Sequence, residues 1–369
     1  MDDQVLISGD QRENEEKPFH QKKTWHRFRF HFLLLLCVIT TAMYYTLLSS
    51  ELSLNKHYNR FFNITKMNNQ PSYRIHPKHK LKLNDTHKPA AFQYHTAYPR
   101  NYRFIINHKD ACTTMNPFLV LMIPVAPHNM EARDAIRKTW GREKVVQGEK
   151  VLTLFVLGLP SENVDELQEK VQQENLLYDD LIQSNFIDSY LNLTTKTMVI
   201  MDWLATHCHT AAYGMKIDSD MFLNIDNLII MLQKPGIPKA NYLTGMLMWN
   251  RPVVRSKNSK WYVPKEMYPD DTYPTYTLGM GYIFSSDLPE KYVEISKTIK
   301  PFNIEDVYIG MCMKQLGLQP TSPPDPWQFK AYNTKYDRCE YSKIITYILG
   351  TSEELKRYWT DLKKPGSLC

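Results

Sequence analysis

The sequence predicts an α/β fold with a largely parallel central sheet, and three features carry that expectation. From about residue 116 onward, short continuous apolar runs of strand length alternate with segments of helical period. Several runs are apolar at consecutive rather than alternate positions, the pattern of strands covered on both faces. One strand, 213–217, stops at two carboxylates, Asp218 and Asp220, which lie where α/β sheets gather ligands, beyond the carboxyl end of a strand.

Taken in order, residues 1–31 are polar and read as a cytosolic tail. Residues 32–48 form the long uncharged apolar run, and 17 residues is at the short end for a spanning helix. Lys22, Lys23, Arg27 and Arg29 precede it without an acid between them, which predicts a cytosolic amino terminus and a luminal remainder. The polar lead is too long for a cleaved signal peptide, and no small-x-small site follows. The short span suits the thinner membranes of the early secretory pathway. Residues 49–115 are rich in Asn, His, Lys, Pro and Tyr without a sustained period, so they read as a stem. The histidines from His57 to His108 lack the regular spacing of a metal-binding tract and read as solvated linker.

The folded domain is expected over 116–369. Phe118–Ile123 is a buried strand closed by Pro124, followed by a helix capped by Asn129 and stopped near Gly141. Val151–Leu157 is the next strand, and an acidic first turn after Ser161 opens a helix to about Asn175. Leu181 and Ile182 form a short strand, Tyr190–His207 is helical, and the strand carrying the two acids follows. A helix at about 226–233 and a strand at Tyr242–Met248 come next. Residues 249–278 are a loop dense in aromatic residues, including Trp249, Trp261, Tyr262, Tyr268, Tyr273 and Tyr276. Aromatic faces stack on sugar C–H groups, so a mobile loop of this kind suits a carbohydrate acceptor. Gly279-Met-Gly281 enters a strand and lacks the third glycine of a dinucleotide fingerprint. Residues 304–316 form an amphipathic helix with Glu305 and Asp306 in its first turn, where the helix dipole favours acids and keeps a general base ionised.

Charge excludes one class of partner. The net charge of +6 arises in front: residues 1–110 carry 17 Lys and Arg against 9 Asp and Glu, whereas 111–369 carry 28 against 30. No basic groove marks the folded part, and nucleic acid is not an expected partner. Cys112, Cys208, Cys312, Cys339 and Cys369 would face an oxidising lumen, an odd number whose pairing spacing alone leaves open. Sequons at Asn63, Asn84 and Asn192 fit the same compartment.

In an extended chain Asp218 and Asp220 share one face. Two adjacent carboxylates repel, a divalent cation relieves the repulsion, and diphosphate oxygens readily complete such a shell. A calcium loop of the EF-hand type fails, because Phe222, Leu223 and Ile229 stand where oxygen ligands, Gly and Glu are needed.

Several blocks together resemble the β-1,3-glycosyltransferases, particularly the β-1,3-galactosyltransferases. They are Arg133–Trp140, Phe155–Gly158, Tyr178-Asp-Asp with Asp188–Thr197, Lys216–Phe222, Tyr273–Tyr282 and Glu305–Cys312, in family-like order over 116–369. The resemblance implies a Golgi type II membrane enzyme of the GT-A fold, moving galactose from UDP-galactose to the 3-hydroxyl of a terminal N-acetylglucosamine with inversion. It assigns Asp218 and Asp220 to manganese and the UDP diphosphate, Asp306 to the catalytic base, and Glu305, with Trp261 and Tyr282, to the acceptor. Arg133, Arg137 and Trp140 match the block near the donor-binding strand. The chain departs from related enzymes in having no His after His209, where a distal His often supplies a further metal ligand. Either Asp325, water and diphosphate complete the shell, or metal binding is weakened. Transfer of N-acetylglucosamine or N-acetylgalactosamine, and a catalytically silent luminal lectin or partner protein, are the alternative readings.

Overall fold

The computed structural model describes residue 41 and residues 102–369 apart from 301, 333 and 334. The tail, the apolar run at 32–48 other than residue 41, the stem up to 101, and the sequons at Asn63 and Asn84 lie outside the described residues. Among the described residues no helix is long and apolar enough to cross a membrane. The chain divides into units 1–85 and 86–369, and the architecture below belongs to the second.

The first half of that unit runs β1 (Phe104–Ile106), α1 (Ala111–Met115), β2 (Leu119–Pro124), α2 (Met130–Arg137), β3 (Val145–Val146), β4 (Glu149–Leu159), α3 (Val164–Tyr178), β5 (Leu181–Ile187) and α4 (Leu193–His207). Then come β6 (Tyr213–Ile217), β7 (Met221–Leu223), α5 (Ile225–Leu232), β8 (Leu243–Met248), β9 (Tyr276–Ser285), α6 (Leu288–Ile295) and α7 (Glu305–Gln315). The chain closes with β10 (Phe329–Lys330), α8 (Arg338–Lys343), β11 (Thr346–Ile348) and α9 (Ser352–Leu362).

One mixed eight-stranded sheet has the order β1-β5-β4-β2-β6-β9-β8, with β3 paired to β4. Its centre, β5-β4-β2-β6, is parallel. The flanking strands β1, β9 and β8 are antiparallel. The largely parallel expectation therefore holds at the centre alone. From β2 the chain moves one way to β4 and β5, then returns to set β6 on the other side of β2. That reversal opens a crevice beyond the carboxyl ends of β2 and β6. A small second sheet, β10-β11-β7, takes its one central-domain strand from just after the two acids.

Alternation along β2 explains the layers. Leu119, Leu121 and Ile123 join a core with α2, α5 and α9, whereas Val120 and Met122 face a second core with α4, α6 and α7. In β6, Tyr213, Met215 and Ile217 belong to the first core, so Lys216 between them points toward the α7 side. Gly310 in α7 permits the close seat of that helix, since a Cβ there would come within 2.6 Å of Tyr276 Cβ.

Three expectations need correction. The domain starts before 116, because β1 pairs with β5 and Cys112 is bonded to Cys208. The helix expected from Ser161 begins at Val164, after a left-handed Asn163 whose side chain makes no cap bond. The aromatic loop is braced rather than mobile: Arg255 donates to the carbonyls of Val263, Tyr268 and Asp270, and Tyr268 and Tyr273 pack in the core.

Cys339 pairs with Cys369, and Cys312 is buried outside both disulfides. The bridge from Cys112 to Cys208 closes a separation of 96 residues. The chain-entropy argument gives such a loop about 4–5 kcal/mol. Cys112→Ser with Cys208→Ser is therefore expected to lower the unfolding free energy by several kcal/mol in denaturant titration, and an unchanged midpoint would contradict it.

Candidate active site

The two acids sit on a turn joining β6 to β7 rather than on extended chain, so the shared-face argument does not apply. The turn is held from three sides. Asp218 N donates to Met280 O at 3.0 Å, Met221 N to Asp218 O at 3.3 Å, and Leu349 N to Asp220 O at 2.9 Å. Asp218 is half-exposed and Asp220 exposed. Crowding by the surrounding protein, and then repulsion from Asp218, hold the Asp220 carboxyl above its ordinary value.

Lys216 organises what lies beside that turn. Its buried ammonium donates to Asp218 Oδ1 at 2.6 Å and to Gly279 O, and stands 3.5 Å from Glu305 Oε2. Burial alone would lower this lysine, but Asp218 and then Glu305 outweigh it and hold the ammonium above its ordinary value. Strand β9 thus connects both acid-bearing elements through a single residue. Gly279 accepts from Lys216 through its carbonyl and donates from its N–H to Asp306 Oδ2 at 3.1 Å. A side chain at Gly279 would stand 2.9 Å from Glu305 Oε2 and 3.2 Å from Asp306 Cβ, so the close approach of α7 requires glycine.

Asp306 is the most perturbed acid here. Burial, and then the neighbouring Glu305, push its carboxyl up to about 7, against the pull of Val307 N–H, Gly279 N–H and Lys216. The helix amino terminus was expected to keep it ionised in a mildly acidic compartment; burial and Glu305 outweigh that influence. A carboxyl poised near neutrality can accept a proton from an incoming hydroxyl.

The other expected residues divide sharply. Glu305 is buried, accepting from Tyr282 OH at 2.6 Å through Oε1 while Oε2 faces Lys216. Tyr282 and Trp140 are fully buried, Trp140 Nε1 donating to Met221 O at 3.2 Å. Neither ring has surface to offer an acceptor or a donor. Arg133, 1% exposed, is bidentate to Glu174 and also donates to the carbonyls of Ala126 and Pro127, just beyond β2. Arg137 is bidentate to Asp180 and lies 3.9 Å over Tyr178. These arginines brace the crevice wall rather than present free guanidinium groups to it. Trp261, by contrast, is 51% exposed. Asn192 is half-buried, its Nδ2 donating to Ile187 O at 2.8 Å, a bond that one amide hydrogen sustains. Asp325 caps the turn at Pro326–Gln328, and among the described residues no group of three or more His, Cys, Asp or Glu could hold a metal ion.

Reading by motif missed Lys216, Gly279 and Lys196. Lys196 is buried, 2.6 Å from Asp188 Oδ2 and bonded to Val125 O at 3.1 Å; burial pulls its ammonium down against Asp188. A lysine between apolar residues of a buried strand was the available signal for Lys216. A separate surface cleft of about 1050 Å³ beside α9 is lined by none of these residues, and its Lys356 and Lys364 are paired to Glu353 and Asp361.

Residues 131–324 match the family model described as Galactosyltransferase. The chain is 42% identical over 272 residues to β-1,3-galactosyltransferase 2 of Mus musculus, covering 73% of this chain and 64% of that protein. The Homo sapiens protein of the same name matches to the same extent. Similarity to β-1,3-galactosyltransferase 1 of Mus musculus is 41% over 265 residues, covering 72% of this chain and 79% of that one. The chain thus spans about 64% of the length of the first of these relatives.

The state of Asp306 can be read through stability. Between the ordinary value of 3.8 and about 7, the folded protein holds a proton that the unfolded chain has released, so stability falls as pH rises through that window. Asp306→Asn removes this loss. Its melting temperature relative to wild type should climb from pH 4 to pH 8, and parallel curves would contradict the raised carboxyl.

Proposed function

The chain belongs to the β-1,3-galactosyltransferase family, and on that premise we propose that it transfers galactose from UDP-galactose to the 3-hydroxyl of a terminal N-acetylglucosamine, with inversion, within a GT-A-type domain. The observation supporting this most directly is Asp306, held at about 7 and linked through Gly279 and Lys216 to the Asp218 corner. Asp306 takes the proton of the acceptor hydroxyl. The freed oxygen bonds to the anomeric carbon as the bond to UDP breaks, and the departing electron pair goes to the diphosphate. One base suffices for this single displacement, which needs no glycosidase pair of carboxyls.

Asp218 and Asp220 would hold manganese, which supplies positive charge for the UDP leaving group. The residues fit such an ion in part. Asp220 is exposed and is raised by crowding and by Asp218, a repulsion that a cation relieves. Hard cations at phosphate-transfer sites commonly take only one or two protein carboxylates and leave the other positions to phosphate and water. Lys216 keeps Asp218 in position, Glu305 anchors α7, and Trp261 offers its exposed face on the acceptor side. The reading extends to a type II Golgi membrane protein anchored by residues 32–48, glycosylated at Asn63, Asn84 and Asn192.

The full-length protein, with manganese, an N-acetylglucosamine glycoside and a panel of UDP-sugars, is expected to transfer galactose. Transfer of N-acetylglucosamine or N-acetylgalactosamine would change the donor, and no transfer from any sugar would favour a silent lectin or partner role. Asp306→Asn should retain UDP binding and lose roughly 10²–10⁴-fold in transfer rate. Asp218→Asn should weaken UDP binding only when manganese is present; equal affinity with and without the substitution removes the metal assignment.

A further inference from the structure

Two exposed aromatic rings from distant parts of the chain meet around one lysine, next to a segment bonded to the residues that lead into α7. Tyr190 opens the 3-10 turn Tyr190–Asn192 after β5 and is 46% exposed; Trp261 belongs to the braced loop after β8 and is 51% exposed. The Lys260 ammonium lies 5.8 Å from the Tyr190 ring centroid and 4.7 Å from that of Trp261, so one cation joins both rings. Burial raises the Tyr190 hydroxyl above its ordinary value, with Trp261 pulling against it and the Asp306 charge adding to the rise.

The helix that follows the Tyr190 turn is tied to the approach to α7. Thr194 Oγ1, in the first turn of α4, donates at 2.7 Å to Phe302 O, three residues before α7 begins. The segment just after Tyr190 is therefore bonded to the residues that lead into α7, and both rings leave surface open to solvent. Single exposed aromatics need no explanation. Two exposed rings joined by a cation, next to a segment bonded to the approach to α7, are the arrangement that takes the apolar face of a pyranose.

We propose that Tyr190 is an acceptor-binding residue, forming with Trp261 a two-ring platform, pinned by Lys260, for the pyranose whose hydroxyl meets Asp306. This rests on the transfer reading above. It adds a specificity residue from outside the aromatic loop, in the segment that follows β5.

The test uses the full-length protein with manganese, UDP-galactose and a β-glycoside of N-acetylglucosamine. Loss of one stacking face should raise the acceptor KM roughly tenfold in Tyr190→Ala. The KM for UDP-galactose and the melting temperature should stay as in wild type, and Tyr190→Phe, which keeps the face, should remain near wild-type acceptor KM. An unchanged acceptor KM in Tyr190→Ala, or equal rises for donor and acceptor, would overturn the platform. If wild type transfers no sugar, the transfer reading fails by itself, and the platform is then judged by saturation-transfer NMR of the same glycoside. Contact signals lost in Tyr190→Ala would support it, and unchanged signals would overturn it.

Discussion

The site depends on one buried ammonium. Lys216 joins the turn after β6 to the first turn of α7, two elements nearly ninety positions apart, by holding Asp218, Gly279 O and Glu305 around a single nitrogen. Buried ion pairs seldom add net stability, because desolvation offsets most of the attraction, so stability alone does not explain this lysine. Its effect is positional. Remove the ammonium, and Asp218 and Glu305 lose the partner that sets their separation.

What makes the arrangement possible is the absence of side chains. At Gly279 a Cβ would meet the Glu305 and Asp306 side chains, and at Gly310 one would meet Tyr276 and the Thr275 carbonyl, so β9 and α7 come closer than a Cβ would allow. The same closeness lets Asp306 accept from Gly279 N–H while Lys216 holds that residue's carbonyl. Middle residues of β9, from Leu278 to Met280, are half-exposed between buried ends, at the point where Gly279 bonds to both Lys216 and Asp306. Burial of Asp306 against this strand, and then Glu305, raise its carboxyl despite the helix terminus and two backbone donors. Geometry therefore sets the chemistry: the helix could not approach so closely without also desolvating its own acid.

Much of this was legible in residues, and the limits follow from physics. Strand 213–217 and the helix with Asn129 as its cap appear as expected, since consecutive apolar residues and a capping side chain are local signals. Identity of the acids was equally local. Orientation was not. Arg133, Trp140 and Tyr282 lie in matching blocks, yet their polar atoms are satisfied by Glu174, Met221 and Glu305, partners that spacing cannot reveal. Residues 102–115 resembled the stem in composition, because a short edge strand and a five-residue helix carry too few residues to show a period. Tyr190 lies in a matching block but drew no role there, as its meaning arises only when the loop after β8 brings Lys260 and Trp261 to it.

The energetics of the site separate it from the scaffold. Asp220 and Asp306 both hold their protons more tightly than free carboxyls do, and at neutral pH each raises the free energy of the fold. A domain selected for stability alone would replace them with neutral groups, so paired penalties of this kind mark a place where another requirement prevails. Elsewhere the opposite pattern holds. Glu174 sits below its ordinary range despite burial, because Arg133 and then Arg137 bond to it, and the crevice wall is correspondingly firm. A charge-satisfied scaffold that carries two carboxyls with raised values fits the transfer proposed above, since preorganised groups need no rearrangement as charge develops.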